Sequence, residues 1–487
     1  MNLVDTHCHL HREEFDPDRN EVVARAKEAG VTALIDPATD LASNRIVVEL
    51  ASQFPEVYVG IGLHPHDAAQ LDAKVLEELA SLATDEKVVA IGEIGLDYYR
   101  NLSPQDVQQK VLREFLRLAH ELGKPVILHC RSAEARGEAS SSRSRDADSD
   151  DGAYRDLFTA LRECLKPPIR GVLHCFGGSS EVAKEALDLG LYLSFAGNLT
   201  FSKAQGLRAI AATVPFDRVL LETDAPFLAP QSFRGKRNEP AYLSELVNLW
   251  SQIRDLTAED VARTTTTNVY HLFGIGDKPP SVIAYPIRRS LYLNITNACT
   301  DRCVFCSLSL EDFWKGKGPS PFVKGHNLRI ERDPTAEEVL HCAGDPSRFE
   351  EVVYCGYGEP IIRLDLLVKV ARELKHKGTQ RIRLNTNGHG NLIHRRSIAP
   401  ELKGLIDEVS VSLNTPTAQQ YLEICRPVFG FATYEGIKAF IRECRDIGIK
   451  VTATAVAMPG IDLEACRRVA EEELKVAYRI RTYNDVG

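Results

Sequence analysis

Histidines and carboxylates recur in the first 225 residues, each directly after a short run of β-branched and apolar residues. The set comprises His7, His9, His64, His66, Glu93, Asp97, His129, His174 and Asp224. One histidine after a strand is more often an ordinary buried side chain than a ligand, but so many independent groups in one kind of position favour a metal site. Imidazole nitrogens and carboxylate oxygens together suit borderline and hard divalent ions. The donors outnumber what one tetrahedral ion needs, so we expect Glu93 to bridge two ions, an arrangement that recurs in phosphoester cleavage.

Three cysteines form a second set, Cys299, Cys303 and Cys306, with the spacing Cys-x3-Cys-x2-Cys. Three thiolates without a close fourth suit neither an all-cysteine zinc site nor an iron–sulfur cluster with four cysteine ligands. They suit a 4Fe-4S cluster in which one iron is left open for another ligand. Two alternatives stay open, namely Cys342 as a fourth ligand, or a zinc site.

A glycine-rich segment follows the cysteines and reads Gly356-Tyr357-Gly358-Glu359-Pro360. Glycines allow a backbone to approach a ligand closely, and the carboxylate of Glu359 can pair with an amine. Short polar side chains also end the next two predicted strands: Asn385, Ser412 and Asn414. Next to the cysteine triplet, these groups predict a binding site for a small polar cofactor.

Alternating β and α patterns predict how the first set is positioned. Amphipathic segments separate eight predicted strands, which are Leu3–Thr6, Val31–Asp36, Val57–Ile61, Val88–Gly92, Val126–His129, Gly171–His174, Leu191–Phe195 and Arg218–Glu222. Eight β/α units predict a closed (β/α)8 barrel, a TIM barrel, whose active site lies at the C-terminal ends of the strands. Residues 135–151 interrupt the pattern with Ser, Arg and Asp and no bulky apolar residue, which predicts a disordered, solvated insertion.

A second β/α series begins after a linker predicted at residues 276–285. Its six predicted strands are Leu291–Ile295, Val352–Cys355, Arg381–Asn385, Glu408–Leu413, Lys450–Ala455 and Val476–Ile480. Six units do not close an eight-stranded barrel, so we expect a partial (β/α)6 barrel over residues 286–487 and the hydrolase barrel over residues 1–275.

Composition limits the class of protein. The chain has 487 residues, which predicts two domains, and a net charge of -9, which argues against a protein that binds nucleic acid through a basic surface. No signal peptide and no apolar run of about 18 residues is present, so we expect no membrane association. Twelve cysteines without a secretory signal predict a reducing, cytoplasmic environment.

The motifs of the first half resemble the TatD family of metal-dependent hydrolases over residues 1–275. They are Asp5-Thr6-His7-Cys8-His9, Gly62-Leu63-His64-Pro65-His66, Gly92-Glu93-Ile94-Gly95-Leu96-Asp97, His129-Cys130-Arg131, His174-Cys175-Phe176 and Glu222-Thr223-Asp224-Ala225-Pro226. The resemblance implies a deoxyribonuclease, an exonuclease in many members, and a two-metal site (Mg, Mn or Zn) with the ligands His7, His9, Glu93, His129, His174 and Asp224. The insertion after Arg131 departs from the family pattern.

The second half resembles the radical S-adenosylmethionine superfamily over residues 286–487. The cysteine triplet matches its cluster motif, and Tyr357-Gly358-Glu359-Pro360 is similar to its Gly-Gly-Glu-Pro motif, with Tyr357 in place of the first glycine. The resemblance implies a 4Fe-4S cluster, S-adenosyl-L-methionine, and an electron donor such as flavodoxin or ferredoxin. It also implies that Gly356, Gly358, Glu359, Asn385, Ser412 and Asn414 contact the cofactor. The pairing of the halves is similar to the TatD-nuclease-associated radical proteins.

These parts predict a bifunctional enzyme acting on DNA or another phosphodiester. Asp224 would be the general base for a metal-activated water, and Glu93 would bridge the ions. His64 and Arg131 would hold phosphate oxygens. The alternative is a hydrolase of a non-nucleic ester or amide, with the second half as a redox or binding module.

Overall fold

The computed structural model describes residues 1–133, 151–306 and 321–482. The chain divides into two compact units, Met1–Lys278 and Pro279–Gly487, which are described separately below. Residues 135–150 of the predicted insertion lie outside the described residues. No helix among the described residues is both long enough and apolar enough to cross a membrane.

Eight parallel strands in sequential order form the sheet of the N-terminal unit. They are β1 (Leu3–Asp5), β2 (Val31–Pro37), β3 (Val57–Ile61), β4 (Val88–Asp97), β5 (Val126–Arg131), β6 (Gly171–Leu173), β7 (Tyr192–Phe195) and β8 (Val219–Leu221). Just beyond β8 and β1, the amide of Asp224 donates to the carbonyl of His7 (2.8 Å) and the amide of His9 donates to the carbonyl of Ala225 (2.8 Å). These bonds join the last strand to the first, and the predicted (β/α)8 barrel is confirmed.

Amphipathic helices surround this barrel. The α-helices of the unit are Arg19–Glu28, Leu41–Gln53, Ala73–Leu82, Gln105–Leu122, Gly152–Cys164, Ser180–Asp188, Gln205–Thr213, Leu243–Arg254 and Ala258–Phe273. The helix Gln105–Leu122 shows why they form: Val111, Phe115 and Leu118 recur at helical spacing and are buried on the strands. It ends at Gly123, whose left-handed backbone (φ 64°) costs glycine little.

The C-terminal unit contains a seven-stranded sheet in the order β17-β16-β15-β14-β13-β10-β9. Its strands are β9 (Ala284–Ile287), β10 (Ser290–Leu293), β13 (Glu351–Tyr354), β14 (Ile382–Thr386), β15 (Glu408–Ser412), β16 (Lys450–Ala457) and β17 (Ala477–Thr482), and a small hairpin is formed by β11 (Phe322–Val323) and β12 (His326–Asn327). The α-helices are Ala336–Ala343, Leu364–His376, Gly390–His394, Ala399–Leu402, Ala418–Cys425, Thr433–Asp446 and Leu463–Arg468. The six predicted parallel strands are all present, and the partial barrel is confirmed.

Strand β9 makes this sheet mixed, because it runs antiparallel to β10. It was not predicted, and its first two residues fall within the interval predicted as a linker. The sequence argues against this strand because of Pro286. Proline has no backbone N–H to donate to a neighbouring strand, so it is tolerated only in an edge strand such as this one.

Candidate functional site

The two histidines after β1 lie at the centre of the barrel mouth and are fully buried or nearly so. The buried carboxylate of Asp5 orients this segment, because it accepts hydrogen bonds from the Thr223 amide (2.9 Å), the Thr223 hydroxyl (2.5 Å) and the His7 amide (3.3 Å). His7 Nε2 and His9 Nε2 lie 3.2 Å apart. Two ring nitrogens this close share at most one proton, so at least one of them directs a lone pair into the space between the two rings.

Glu93 connects these histidines with a second pair from β5 and the end of β6. Its Oε2 lies 3.3 Å from His7 Nε2 and 3.8 Å from His9 Nε2. Its Oε1 lies 2.9 Å from His129 Nδ1 and 2.9 Å from His174 Nε2. The two oxygens of one carboxylate thus face two different histidine pairs.

Asp224 follows β8 and lies on the side of the first pair. Its Oδ1 is 3.5 Å from His9 Nε2 and 3.9 Å from His7 Nε2. Burial raises the pKa of Asp224, but the hydrogen bond with His9 and the neighbouring imidazoles outweigh it and lower the pKa. The two carboxylates are therefore ionised at neutral pH, because the imidazoles around Glu93 also outweigh burial and hold its pKa well below the usual range.

This donor set fits divalent cations. Among the described residues of this barrel, imidazole nitrogens and carboxylate oxygens converge in four groups, each with its donor atoms within 4.8 Å of one another. These are His7, His9 and Asp224; His64, Glu93 and His129; His7, His174 and Glu222; and His9, His11 and Asp36. The sequence-predicted residues His7, His9, Glu93, His129, His174 and Asp224 are therefore all brought together.

Two further carboxylates, those of Glu222 and Asp97, contact histidines of this cluster. Glu222 Oε1 accepts from the Cys175 amide (2.5 Å) and lies 3.3 Å from His174 Nδ1. Asp97 Oδ2 lies 2.8 Å from His66 Nε2 and 3.5 Å from His129 Nε2. Such partners fix the tautomer and orientation of a ligating histidine. Glu222 belongs to one of the sequence motifs but was not predicted as a site residue, although its position two residues before Asp224 could have indicated a role in the site.

His64 and Arg131, predicted to hold phosphate oxygens, occupy different positions. His64 Nε2 lies 3.5 Å from Glu93 Oε1, and its Nδ1 accepts from the His66 amide (3.2 Å), so His64 belongs to the cluster. Arg131 is exposed at the rim, where its guanidinium carbon lies 3.7 Å from the centroid of the Tyr99 ring.

A pair that sequence reasoning missed lies beside His9. His11 Nδ1 is 2.6 Å from Asp36 Oδ1, and the His11 amide donates to Asp36 Oδ2 (2.8 Å). The rings of His9 and His11 are 5.6 Å apart. No sequence motif joins these residues, because Asp36 comes from the neighbouring strand β2.

The cysteine triplet lies in the loop that follows β10. The loop backbone is held by the helix Ala418–Cys425, since the Arg302 amide donates to the Cys425 carbonyl (2.9 Å) and the Val304 amide donates to the Ile424 carbonyl (2.9 Å). A hydrogen bond with Cys425, and burial next, raise the pKa of Cys303. Burial also raises the pKa of Cys299, with Glu359 and Asp301 as lesser causes. Cys342, the alternative fourth ligand, is exposed on the helix Ala336–Ala343.

The glycine-rich segment packs directly against the chain entering this loop. The Gly358 amide donates to the Thr296 carbonyl (3.0 Å) and the Glu359 amide donates to the Ala298 carbonyl (2.8 Å). A Cβ at position 358 would lie 2.5 Å from both carbonyl oxygens, so only glycine fits. Tyr357, the departure from the superfamily motif, is accommodated because its ring is buried in a small apolar cluster.

Glu359 is buried, and its carboxylate accepts three hydrogen bonds from the protein. Its carboxylate accepts from the Asn387 amide (2.7 Å), the Thr386 hydroxyl (2.8 Å) and the Ile361 amide (3.1 Å). Burial raises the pKa of Glu359 to about 7. The carboxyl group is thus fixed next to the cysteine loop.

The remaining predicted cofactor contacts lie at the same ends of the strands. Asn385 in β14 accepts from Arg383 (2.9 Å). Ser412 ends β15 and is half-buried. Asn414 is buried two residues later, with its side-chain amide 3.5 Å from Cys425 Sγ. All three stand where the C-terminal ends of parallel strands meet, as does Glu359 after β13.

Two family models match the chain, one over each unit. A family model described as TatD related DNase matches residues 4–274, which is more than half of the chain. The chain belongs to the TatD family. A second model, the Radical SAM superfamily, matches residues 293–472. The predicted fusion of a TatD hydrolase with a radical SAM domain is confirmed.

Relatives match the TatD part along almost their whole length. The uncharacterized metal-dependent hydrolase YabD of Bacillus subtilis is 38% identical over 273 residues, which is 56% of this chain and 99% of that protein. The 3'-5' ssDNA/RNA exonuclease TatD of Escherichia fergusonii is 35% identical over 278 residues, 56% of this chain and 99% of that protein. The crystal structure of YJJV, a TatD homolog from Escherichia coli K12, is 31% identical with a TM-score of 0.50, and the match covers 56% of this chain and 98% of that one.

The chain therefore contains two enzyme domains. A metal-dependent hydrolase of the TatD family implies divalent ions, and a radical SAM domain implies a 4Fe-4S cluster and S-adenosylmethionine.

Proposed function

We propose that the TatD barrel hydrolyses phosphodiester bonds at the ends of nucleic acid strands with two divalent ions, Mg, Mn or Zn. The observation that carries this proposal is Glu93, whose Oε1 and Oε2 face different histidine pairs. A carboxylate bridging two ions is a recurrent device for in-line displacement at phosphorus. We assign residues 1–275 to this hydrolase and residues 276–283 to the linker, and the radical SAM domain begins at Ala284, the first residue of β9.

The ligands divide between two positions. His7, His9 and Asp224 would hold one ion, and His129 and His174 the other, with Glu93 shared. Bound ions would supply polarisation of the phosphate and a lowered pKa of a water. Asp224, whose carboxyl group is ionised, would accept the proton of that water at a carboxylate oxygen. His64, whose Nε2 lies 3.5 Å from Glu93 Oε1, would donate a hydrogen bond to a phosphate oxygen, and Arg131 would bind a phosphate of the strand at the rim.

The relative from Escherichia fergusonii, named as a 3'-5' exonuclease of ssDNA and RNA, supports an exonuclease on single strands. The test is degradation of oligonucleotides labelled at either end, with Mg or Mn added after metal removal. We expect loss of activity by at least a hundredfold in His129→Ala and Asp224→Asn. The matched controls are His120→Ala and Asp217→Asn, two exposed residues away from the site, which should keep wild-type activity.

Other outcomes would separate the alternatives. Retained nuclease activity in both site variants would point to a contaminant and contradict the assigned site. Hydrolysis of simple esters or amides, without cleavage of nucleic acid, would favour a non-nucleic substrate instead.

We propose further that the C-terminal unit is an active radical S-adenosylmethionine enzyme. Cys299, Cys303 and Cys306 would hold the 4Fe-4S cluster. The cofactor contacts would be Gly356, Gly358, Glu359, Asn385, Ser412 and Asn414. The bound cluster and cofactor would supply reductive cleavage to a radical, with electrons from a flavodoxin or ferredoxin; the protein supplies orientation and exclusion of water.

Anaerobic purification with iron, sulfide and electron paramagnetic resonance analysis tests this part. We expect about four irons per chain and reductive cleavage of S-adenosylmethionine, both lost in Cys303→Ala. Cys342→Ala should retain both, because Cys342 is exposed on its helix. A full cluster without cofactor cleavage would instead indicate a redox or binding module, and loss of iron in Cys342→Ala would make that residue the fourth ligand.

A further inference from the structure

Two exposed aromatic rings stand at the mouth of the TatD barrel. Tyr99 is 43% exposed and Phe227 is 44% exposed. Every other aromatic side chain among the described residues of this unit is buried or half-buried. These two rings therefore form the aromatic surface that the unit offers to a ligand.

Each ring has an arginine beside it. The guanidinium carbon of Arg131 lies 3.7 Å from the Tyr99 centroid, and that of Arg12 lies 5.2 Å from the Phe227 centroid. Arg12 is also paired with the exposed Glu14 (Nε to Oε2, 3.2 Å). An aromatic ring or a guanidinium plane can stack on a nucleobase, and the positive charge attracts the adjoining phosphate.

The rings lie on opposite sides of the metal ligands. Phe227 follows β8 and its partner Arg12 follows β1, whereas Tyr99 follows β4 and its partner Arg131 ends β5. In a closed ring of eight strands in sequential order, the β8/β1 edge is opposite the β4/β5 edge. The Phe227 ring centroid is 6.1 Å from that of His9, so this ring also borders the ligand cluster directly.

The backbone beneath both rings is fixed. Buried Asn238 donates from its side-chain amide to the carbonyls of Phe227 (2.6 Å) and Thr223 (2.8 Å). The amide of Tyr98 donates to the carbonyl of Arg131 (2.8 Å), which ties the Tyr99 loop to the end of β5. Rings held in this way need little ordering when a ligand binds.

We propose that Phe227 with Arg12 and Tyr99 with Arg131 are two base-stacking subsites for a single strand that crosses the barrel mouth. This inference rests on the proposed phosphodiesterase activity and assigns the residues that hold the bases of its single-stranded substrate. A base must leave its own stack to lie on a protein ring, which a single strand allows and an intact duplex opposes. Bases placed on opposite sides of the ligands bring the phosphodiester between them over Glu93 and Asp224.

The test compares an oligothymidylate with a strand of the same length built from abasic tetrahydrofuran nucleotides, which has the same backbone charge. Tyr99→Leu and Phe227→Leu should each raise KM for the oligothymidylate about tenfold with little change in kcat. They should leave KM for the abasic strand unchanged. Tyr99→Phe and Phe227→Trp, which keep a stacking ring, should retain most of the preference for the oligothymidylate over the abasic strand. Tyr58→Leu, which removes a ring stacked with Lys87 (4.5 Å) at the N-terminal end of β3, should change neither.

Equal effects on both strands, or no effect on either, would overturn the subsites. The subsites would also be overturned if the wild type preferred a blunt duplex over single strands and both leucine variants weakened that preference. Binding to fluorescent strands, measured by anisotropy in the presence of a chelator, distinguishes the two proposals. Base-dependent binding lost in the leucine variants, without cleavage on metal addition, would contradict the nuclease and retain the subsites.

Discussion

Glu222 Oε1 lies 3.3 Å from His174 Nδ1, on the side of the imidazole away from Glu93, whose Oε1 is 2.9 Å from His174 Nε2. The Glu222 carboxylate therefore favours the proton of His174 on Nδ1, so that Nε2 presents its lone pair to a cation. It also raises the basicity of Nε2. Glu222 is thus a positioning residue for His174.

We predict that Glu222→Gln weakens the binding of divalent metal by about 10- to 100-fold, which is typical of such outer carboxylates. Isothermal titration of the metal-free protein with Mn measures this directly. Excess Mn should restore most of the nuclease activity, a rescue that a folding defect would not allow. Glu181→Gln, an exposed residue of the helix Ser180–Asp188, is the matched control. Unchanged metal affinity in Glu222→Gln would contradict the role.

The barrel and the convergence of its histidines and carboxylates could be predicted from the sequence for a physical reason. Alternating β and α patterns specify the strands, and parallel closure brings the C-terminal ends of all strands together, so His7 and His174 meet although they are far apart in the chain. The direction in which a side chain points within that mouth is set by packing. Sequence reasoning therefore placed Arg131 near phosphate but did not foresee its stacking on Tyr99.

Two specific contacts between neighbouring strands could not be predicted from the sequence. The contact of His11 with Asp36 depends on the offset between β1 and β2, which no local pattern encodes. Strand β9 was missed because Pro286 argues locally against a strand, whereas pairing with β10 at a sheet edge overrides that preference.

Gly358→Ala should disrupt the C-terminal site without affecting the hydrolase. A Cβ there would lie 2.5 Å from the carbonyl oxygens of Thr296 and Ala298, which are backbone atoms next to the cysteine loop. We expect reconstituted iron to fall at least severalfold, whereas nuclease activity stays within twofold. Gly177→Ala, which adds a Cβ with its nearest contact at 3.9 Å, is the control for the substitution itself. Normal iron content in Gly358→Ala would show that the segment can move without loss of the site.

Tyr421→Phe should loosen the cysteine loop. The Tyr421 hydroxyl donates to Asp301 Oδ2 (3.0 Å), and a buried carboxylate that loses a donor costs about 1–3 kcal/mol. We expect iron to be lost to a chelator several times faster than in the wild type. Tyr434→Phe removes a similar buried bond, to the Thr415 carbonyl (2.7 Å), away from the loop, and should match the wild type. Equal acceleration in both variants would indicate general destabilisation of the unit.

His271 should make the stability of the TatD barrel depend on pH. Burial, and next the charge of Arg218, lower its pKa from 6.5 to about 4. The unfolded chain therefore binds a proton between these values that the folded chain does not. The neutral imidazole costs no stability above pH 6.5, and the free energy of unfolding falls as the pH drops towards 4, by up to about 3 kcal/mol. His271→Gln should remove this dependence.

Urea unfolding of the wild type and His271→Gln between pH 7 and pH 4 measures the effect. Trp250, buried in this unit, reports the transition in a Trp314→Phe background, because the chain has 2 tryptophans. As the pH falls, the urea midpoint of unfolding of His271→Gln should rise relative to that of the wild type. His120→Gln, an exposed histidine on the helix Gln105–Leu122, should follow the wild type. A constant difference between wild type and His271→Gln across this range would contradict the prediction.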